Sequence, residues 1–162
     1  MSTPPLTPLA AAALHVKPAP ERVLAIECGD GDGALFLARE FPAARVRGVD
    51  RSEDRVRAAT ARVGLDPEGR VAFKAGRPAA IPYPDAFFDL VAQVDGRPPV
   101  GEIARLLRPG GYLILASTRP VEAESLGARW LRRRLARRGI DLIEIAAAGD
   151  GSFSVGRLRQ AG

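Results

Sequence analysis

The stretch Val23–Ala38, VLAIECGDGDGALFLA, reads as a strand, a glycine turn and a helix in succession. A run of apolar residues leads into Gly29, Gly31 and Gly33, and the segment "GALFLAREF" (33–41) then has helical character until Pro42 stops it. Glycine allows a tight turn and lets a ligand touch the main chain. The turn is also acidic. Glu27, Asp30 and Asp32 stand in or beside it, and the loop itself contains no Lys or Arg.

The pattern alternates outward from this turn. Strands are expected at 22–27, 45–50 (RVRGVD), 70–74, 87–94 and 111–117, and helices at 33–41, 52–63, 99–107 and 122–138. Ser52 is the expected N-cap of the second helix and Gly64 its stop. Pro109 and Gly110 close the third, and Gly139 closes the last. The segments 140–147 and 151–159, joined by "GDG", read as a hairpin. Apolar strands alternating with helices predict an α/β fold, a mostly parallel sheet covered on both faces. Residues 1–20 carry five prolines and read as a flexible leader with at most a turn or two of helix at Pro8–His15. Residues 21–162 form one domain, with no internal repeat.

The composition sets limits. The chain has 162 residues, 46% hydrophobic and 27% charged, with a net charge of +5 and a pI near 10.3. Lys17 and Lys74 are the only lysines, so the excess of base reflects arginine usage as readily as an anionic partner. With one cysteine, Cys28, and one histidine, His15, neither an intrachain disulfide nor a His/Cys metal cluster can form. A reducing cytoplasm is expected. The apolar segment Leu9–Leu14 is too short for a signal core or a membrane span, so no membrane partner is expected.

In open sheets of this kind, ligands sit beyond the carboxyl ends of the strands where the strand order reverses. Asp50 ends the second strand, 21 residues after Gly29, where a carboxylate can accept both hydroxyls of a ribose. Two cofactor classes use that geometry. A dinucleotide would set its pyrophosphate against Glu27, Asp30 and Asp32. Like charges ~6 Å apart repel by roughly 3 kcal/mol per pair at an effective dielectric of 20. S-adenosylmethionine carries a sulfonium and an ammonium and no phosphate, and it suits an acidic turn.

Four stretches in order resemble the class I S-adenosylmethionine-dependent methyltransferases. "VLAIECGDG" (23–31) is similar to the family's first motif, V-L-D-I-G-C-G-T-G, and "VRGVD" (46–50) to the end of its second strand. "FKAGRPAAIPYPDAFFDLV" (73–91) and "EIARLLRPGGYLILAS" (102–117) resemble the stretches around its third to fifth strands. The resemblance runs from about Arg22 to Arg159. It implies a three-layer Rossmann-like α/β/α fold with a seven-stranded sheet, order 3-2-1-4-5-7-6, one strand antiparallel. It implies S-adenosylmethionine as cofactor and S-adenosylhomocysteine as product. The implied cofactor-binding residues are Glu27, Cys28, Gly29, Asp30 and Gly31 in the turn, and Asp50 and Arg51 at the ribose and adenine. Gly76, Arg77 and Pro78 follow at the adenine edge. Gln93 and Asp95 would face the methyl group as catalytic candidates, while Asp89 and Leu90 would set the fourth strand.

The departures from the family pattern are specific. Its first-strand acid is Ala25, its first glycine is Glu27, and its adenine-binding aspartate is Arg77. Strand alternation places residues 25 and 27 on one side. Either Glu27 contacts the cofactor's cation directly, or it fills the methionine site. Only seven residues separate Val94 from Glu102, so the acceptor site is expected to be shallow and open. That favours a large or partner-presented methyl acceptor, or a methyltransferase-like binding domain without turnover. Asp95, Tyr83 and His15 are candidate bases, each with a structural alternative. The helix ARWLRRRLARRG (128–139) has a narrow stripe of Trp130, Leu131 and Leu135 among six arginines. It reads either as a helix packed on the sheet with solvated arginines or as a nucleic-acid-tracking face.

Overall fold

Along β1 (Arg22–Ile26), Val23 and Ala25 are buried on one face of the sheet and Leu24 and Ile26 on the other. A strand that is apolar on both sides requires a helical layer over each. The computed structural model describes residues 5–120 and 125–160. In chain order the other elements are α1 (Thr7–Ala13), α2 (Asp32–Glu40), β2 (Arg45–Asp50), α3 (Glu53–Val63), β3 (Val71–Ala75) and β4 (Phe88–Val94). They continue with α4 (Val100–Leu106), β5 (Leu107–Ser117), α5 (Leu126–Arg137), β6 (Ile140–Ala148) and β7 (Gly151–Leu158).

The seven strands lie in the order β3-β2-β1-β4-β5-β7-β6, as the resemblance implied. Only β7 runs against the direction of the other six strands. The order reverses beside β1, which pairs with both β2 and β4. Leu9 of α1 and Leu37 of α2 pack with Val23, Val46, Leu90 and Ile114 on one face. Val100, Ile103 and Leu106 of α4 and Leu135 of α5 pack with Leu24, Val91 and Leu113 on the other. Ser52 caps α3 by accepting the Arg55 N–H at 3.3 Å, and Gly64 follows that helix at φ 67°.

Three expectations need correction. Residues 1–20 are not a leader throughout: Leu9, Ala12, Ala13 and Val16 are buried in the core, so the domain reaches back to α1. Their spacing of three, one and three is a helical apolar stripe that the prolines obscured. Second, α4 stops at Leu106 and the chain passes directly into β5. Arg108–Gly111 therefore belong to the strand, where pairing with β4 shifts register between Phe88 and Leu90. Third, Leu131 and Leu135 pack inward as expected but Trp130 is 58% exposed, with the Arg134 guanidinium 4.7 Å over its ring. The expected start of this helix at Glu122 lies outside the described residues. Among the described residues, no helix is long and apolar enough to cross a membrane.

Arginine contacts hold the irregular segments. Arg105 of α4 donates to the Ile81 and Tyr83 carbonyls at 2.9 and 2.8 Å and pairs with Asp85 and Glu102. This one side chain fixes the "IPYPD" segment between β3 and β4. Asp89 likewise anchors the chain entering β1, accepting the Glu21 and Arg22 N–H groups at 2.9 Å each and pairing with Arg108. Replacing Arg105 with Ala leaves the two carbonyls and two carboxylates without this donor. We expect a loss of about 2 kcal/mol, since hydrogen bonds to charged groups contribute roughly 1.5–3 kcal/mol each and this side chain is partly exposed. Urea unfolding of the Arg105→Ala protein measures it.

Candidate functional site at the carboxyl ends of β1, β2 and β4

The turn after β1 is built by backbone geometry. Glu27, Gly29 and Gly31 all take positive φ, at 52°, 56° and 99°. Left-handed backbone costs a non-glycine residue roughly 1–2 kcal/mol, which accounts for the family's glycine where this chain has Glu27. The turn is tied to β2 at two points. Cys28 N–H donates to the Val49 carbonyl at 3.0 Å, and Gly29 N–H donates to Asp50 Oδ2 at 2.9 Å. Asp50 Oδ1 accepts the Ser52 N–H, also at 2.9 Å. The Asp50 side chain is 1% exposed, and both oxygens hold main chain. Each oxygen keeps a further lone pair, and the Arg55 guanidinium stands 3.9 Å from Oδ1.

The acidic turn is not uncompensated. Glu27 pairs with Arg51 at 3.1 Å, while Asp30 and Asp32 share Arg62, at 3.7 and 2.6 Å. These arginines lie 24 to 32 positions away in the chain and reach the turn only through the fold. The repulsion expected from the loop sequence alone is therefore overstated, and charge by itself does not separate the two cofactor classes.

Two cavities meet at this turn. One, of about 230 Å³, is lined by Ala25, Cys28, Gly29, Asp30 and Asp32 and walled by Leu6 and Leu9 of the N-terminal segment. The other, of about 600 Å³, is lined by Arg51, Pro78, Ala79, Asp95, Arg97 and Arg134. Glu27 and Val94 border both. Strand alternation does not carry through to Glu27, because β1 ends at Ile26 and the positive φ turns the next side chain toward Arg51. Ala25 stays in the core beneath α1 and α2.

The structure thus brings together Glu27, Cys28, Gly29, Asp30, Arg51, Pro78 and Asp95. Three other expected contacts lie elsewhere. A Cβ on Gly31 would meet Ala59 and the Phe73 ring at 3.2 Å, and one on Gly76 would meet Pro82 at 2.9 Å, so both are packing glycines. Arg77 is exposed and forms a bridge with Ala80. The sequence reading missed Leu6, Leu9, Ala79, Arg97 and Arg134. The α1 stripe would have revealed the first two; the others depend on loop placement.

At the tip of β4, Gln93 is 2% exposed. Its Nε2 donates to the Asp95 and Arg97 carbonyls at 3.0 and 3.3 Å. Asp95 accepts the Thr118 N–H and hydroxyl at 2.9 and 2.8 Å, one on each oxygen. That fixes its direction and leaves it a poor mobile base. Tyr83 is half-buried against Phe87 and Phe88, and burial pushes its hydroxyl pKa up, which removes it as a base. His15 is exposed, 5.6 Å from the ring of Phe153 on the inner strand β7 and outside the residues that line either cavity.

A methyltransferase-domain family model matches residues 23–111. The chain belongs to the methyltransferase-domain family. The match runs from β1 through the turn, the cleft and β4, ending inside β5. A fatty-acid O-methyltransferase of Mycolicibacterium smegmatis is 35% identical over 107 residues, which span 62% of this chain and 38% of that protein. A demethylmenaquinone methyltransferase of Thermus thermophilus is 33% identical over 122 residues, spanning 70% of this chain and 54% of that one. The chain thus spans about two fifths to a half of the length of these relatives. The crystal structure of a SAM-dependent methyltransferase from Aquifex aeolicus superposes with a TM-score of 0.70 at 20% identity, covering 85% of this chain and 81% of that one. It shares the fold.

S-adenosylmethionine is the cofactor that membership in this methyltransferase family implies, and the cleft fits it. Nothing lies within 4 Å of a Cβ built on Gly29, so a ligand can approach that main chain closely. The smaller cavity offers the carboxylates of Asp30 and Asp32 to an ammonium, and the larger offers Pro78, Ala79 and arginine stems to a flat base.

Two outcomes follow from the turn. Burial, and then the Asp50 charge, raise the Cys28 pKa from 9.0 to about 12. Its thiolate fraction at pH 8 is lower than a free cysteine's by about three decades, so iodoacetamide labelling should be about a thousandfold slower and still rising above pH 10. For Asp50→Ala, two half-buried N–H groups lose their acceptor and Arg55 loses its carboxylate. We expect a loss of about 3 kcal/mol by chemical denaturation, with faster hydrogen exchange at the Gly29 and Ser52 amides.

Proposed function

We propose that the protein transfers the methyl group of S-adenosylmethionine to an acceptor presented at the tip of β4. The observation that carries this is the paired cavity at the sheet's switch point, its two halves meeting at Glu27. When bound, S-adenosylmethionine supplies a methyl group on a sulfonium, which leaves as a neutral thioether as the acceptor's lone pair takes the methyl. Gly29, Asp30 and Asp32 hold the amino-acid end. Arg51, Pro78 and Ala79 hold the adenine end. Glu27 exchanges Arg51 for the cofactor's positive centre, a swap between two cations that keeps its carboxylate paired. Thr118 locks Asp95 so that it orients the acceptor, and alignment of this kind can contribute up to roughly 7–11 kcal/mol. The free Cys28 suits a reducing cytoplasm.

A second reading has one observation in its favour. The Glu27–Arg51 pair stands at the middle of the cleft, where the cofactor must lie. If the pair does not open, the domain binds a partner without turnover. Calorimetry with S-adenosylmethionine and S-adenosylhomocysteine separates the readings. The wild-type protein should prefer the charged sulfonium about fivefold, the effect of roughly 1 kcal/mol from one partly exposed ion pair. In Glu27→Gln that preference should vanish. Binding seen only with Glu27→Gly would make the side chain a plug and favour the second reading.

A further inference from the structure

The helix α5 carries the chain's excess charge. Between Leu126 and Arg138 stand six arginines and no Asp or Glu, while the whole chain is at +5. Everything outside this one segment therefore sums to −1. Arginine usage in general would spread unbalanced base over the fold; here it is gathered on one helix.

The two sides of α5 differ. Leu131 and Leu135 pack into the core with α4 and the sheet. At about 3.6 residues per turn, Leu126, Trp130, Arg133 and Arg137 form a row on the opposite side. All four are exposed, Leu126 at 83% and Trp130 at 58%. Leu126 and Trp130 are neighbours one turn apart, so they make one apolar patch rather than two scattered contacts. Among the described residues, no carboxylate meets Arg133 or Arg137. Glu102 of α4 and Asp141 of β6, on elements packed against α5, are engaged elsewhere, with Arg105 and Arg159.

An exposed helix face that joins apolar residues to arginines matches an anionic lipid surface. Leucine and tryptophan enter the headgroup layer, and the arginines meet lipid phosphates. A second copy of the chain does not fit, because it would set one arginine row against another. Nucleic acid fits less well. Phosphates would leave Leu126 in water, and Arg134 already lies 4.7 Å over the Trp130 ring, so the indole offers a base a single open face.

We propose that α5 is a peripheral docking face for anionic membrane, with Leu126 and Trp130 in the headgroup layer and Arg133 and Arg137 on lipid phosphates. A membrane partner was not expected from the sequence because the apolar segment Leu9–Leu14 is too short to span, but a helix lying on the surface needs no span. The docking does not depend on the methyl-transfer reading.

Trp130 is the chain's only tryptophan, so tryptophan emission reports on this face alone. The full chain is titrated with vesicles of phosphatidylcholine, alone or mixed equally with phosphatidylglycerol. Binding is followed by co-flotation and by Trp130 emission. The mixed vesicles should carry the protein with them and shift its emission to the blue, with binding weakening as salt rises. Phosphatidylcholine alone should do neither. Leu126→Gln keeps every charge and should weaken binding about tenfold through the lost apolar contact. The double variant Arg133→Glu, Arg137→Glu should weaken it at least about a hundredfold, at roughly fivefold per unit of charge near the surface. These positions are exposed, and circular dichroism checks that both variants fold. No flotation with the mixed vesicles, equal flotation with phosphatidylcholine alone, flotation without a blue shift, or full-strength binding by either variant would each overturn the proposal. So would poly(U) RNA that perturbs Trp130 at a salt concentration where the mixed vesicles do not, since the face would then belong to nucleic acid.

Discussion

The site depends on one buried carboxylate that joins two strands. Asp50 ends β2, yet its oxygens hold the Gly29 amide of the neighbouring turn and the Ser52 amide that opens α3. One charged group thereby sets the position of the glycine turn, the end of β2 and the start of the next helix. Removed from water, it is stabilised by two backbone donors and by the Arg55 guanidinium 3.9 Å away. Most of what lines the cleft is placed relative to that joint. Gly29 faces open space because its amide is held back, and Arg51 projects across the cleft because its neighbours on both sides are tied down.

Around this joint the charges are arranged as exchangeable pairs. Glu27, Asp30 and Asp32 each meet an arginine that comes from α3 or the turn before it. The pairs are partly exposed and so individually weak. That suits a surface whose carboxylates must change partner: a strong, fully buried pair would hold its geometry against any incoming cation. Asp95 is the contrast. It is tied by two donors from one residue, Thr118, and keeps a single direction.

The layer order was legible because the central strands β1 and β4 are apolar on both faces and the helices between strands end at readable stops. Ser52 and Gly64 act where local chemistry said they would. The turn was legible too, since glycines after an apolar run leave few alternatives. What the chain order concealed is contact at a distance. Arg51 and Arg62 neutralise the turn from outside the loop, and no local reading counts them. The resemblance placed Gly31 at the ligand, whereas the structure sets it against Ala59 and Phe73. Motif position is shared within a family, but the direction of a side chain depends on tertiary neighbours. The proline-rich start misled for a similar reason: Pro8 opens a helix as well as it breaks one, and the buried Leu9 decides which.

That helix has a further consequence. Leu9 belongs at once to the core beneath Val23 and to the wall of the smaller cavity. The chain passes from α1 to β1 through the exposed stretch Lys17–Ala19, whose Lys17 carbonyl accepts the Tyr112 hydroxyl at 2.9 Å, a surface segment that a protease can reach. A nick there would unroof the cavity while leaving the sheet whole. Occupancy of the cleft and survival of the N-terminal segment under digestion are therefore linked, so a bound ligand protects a peptide bond well outside its own contacts.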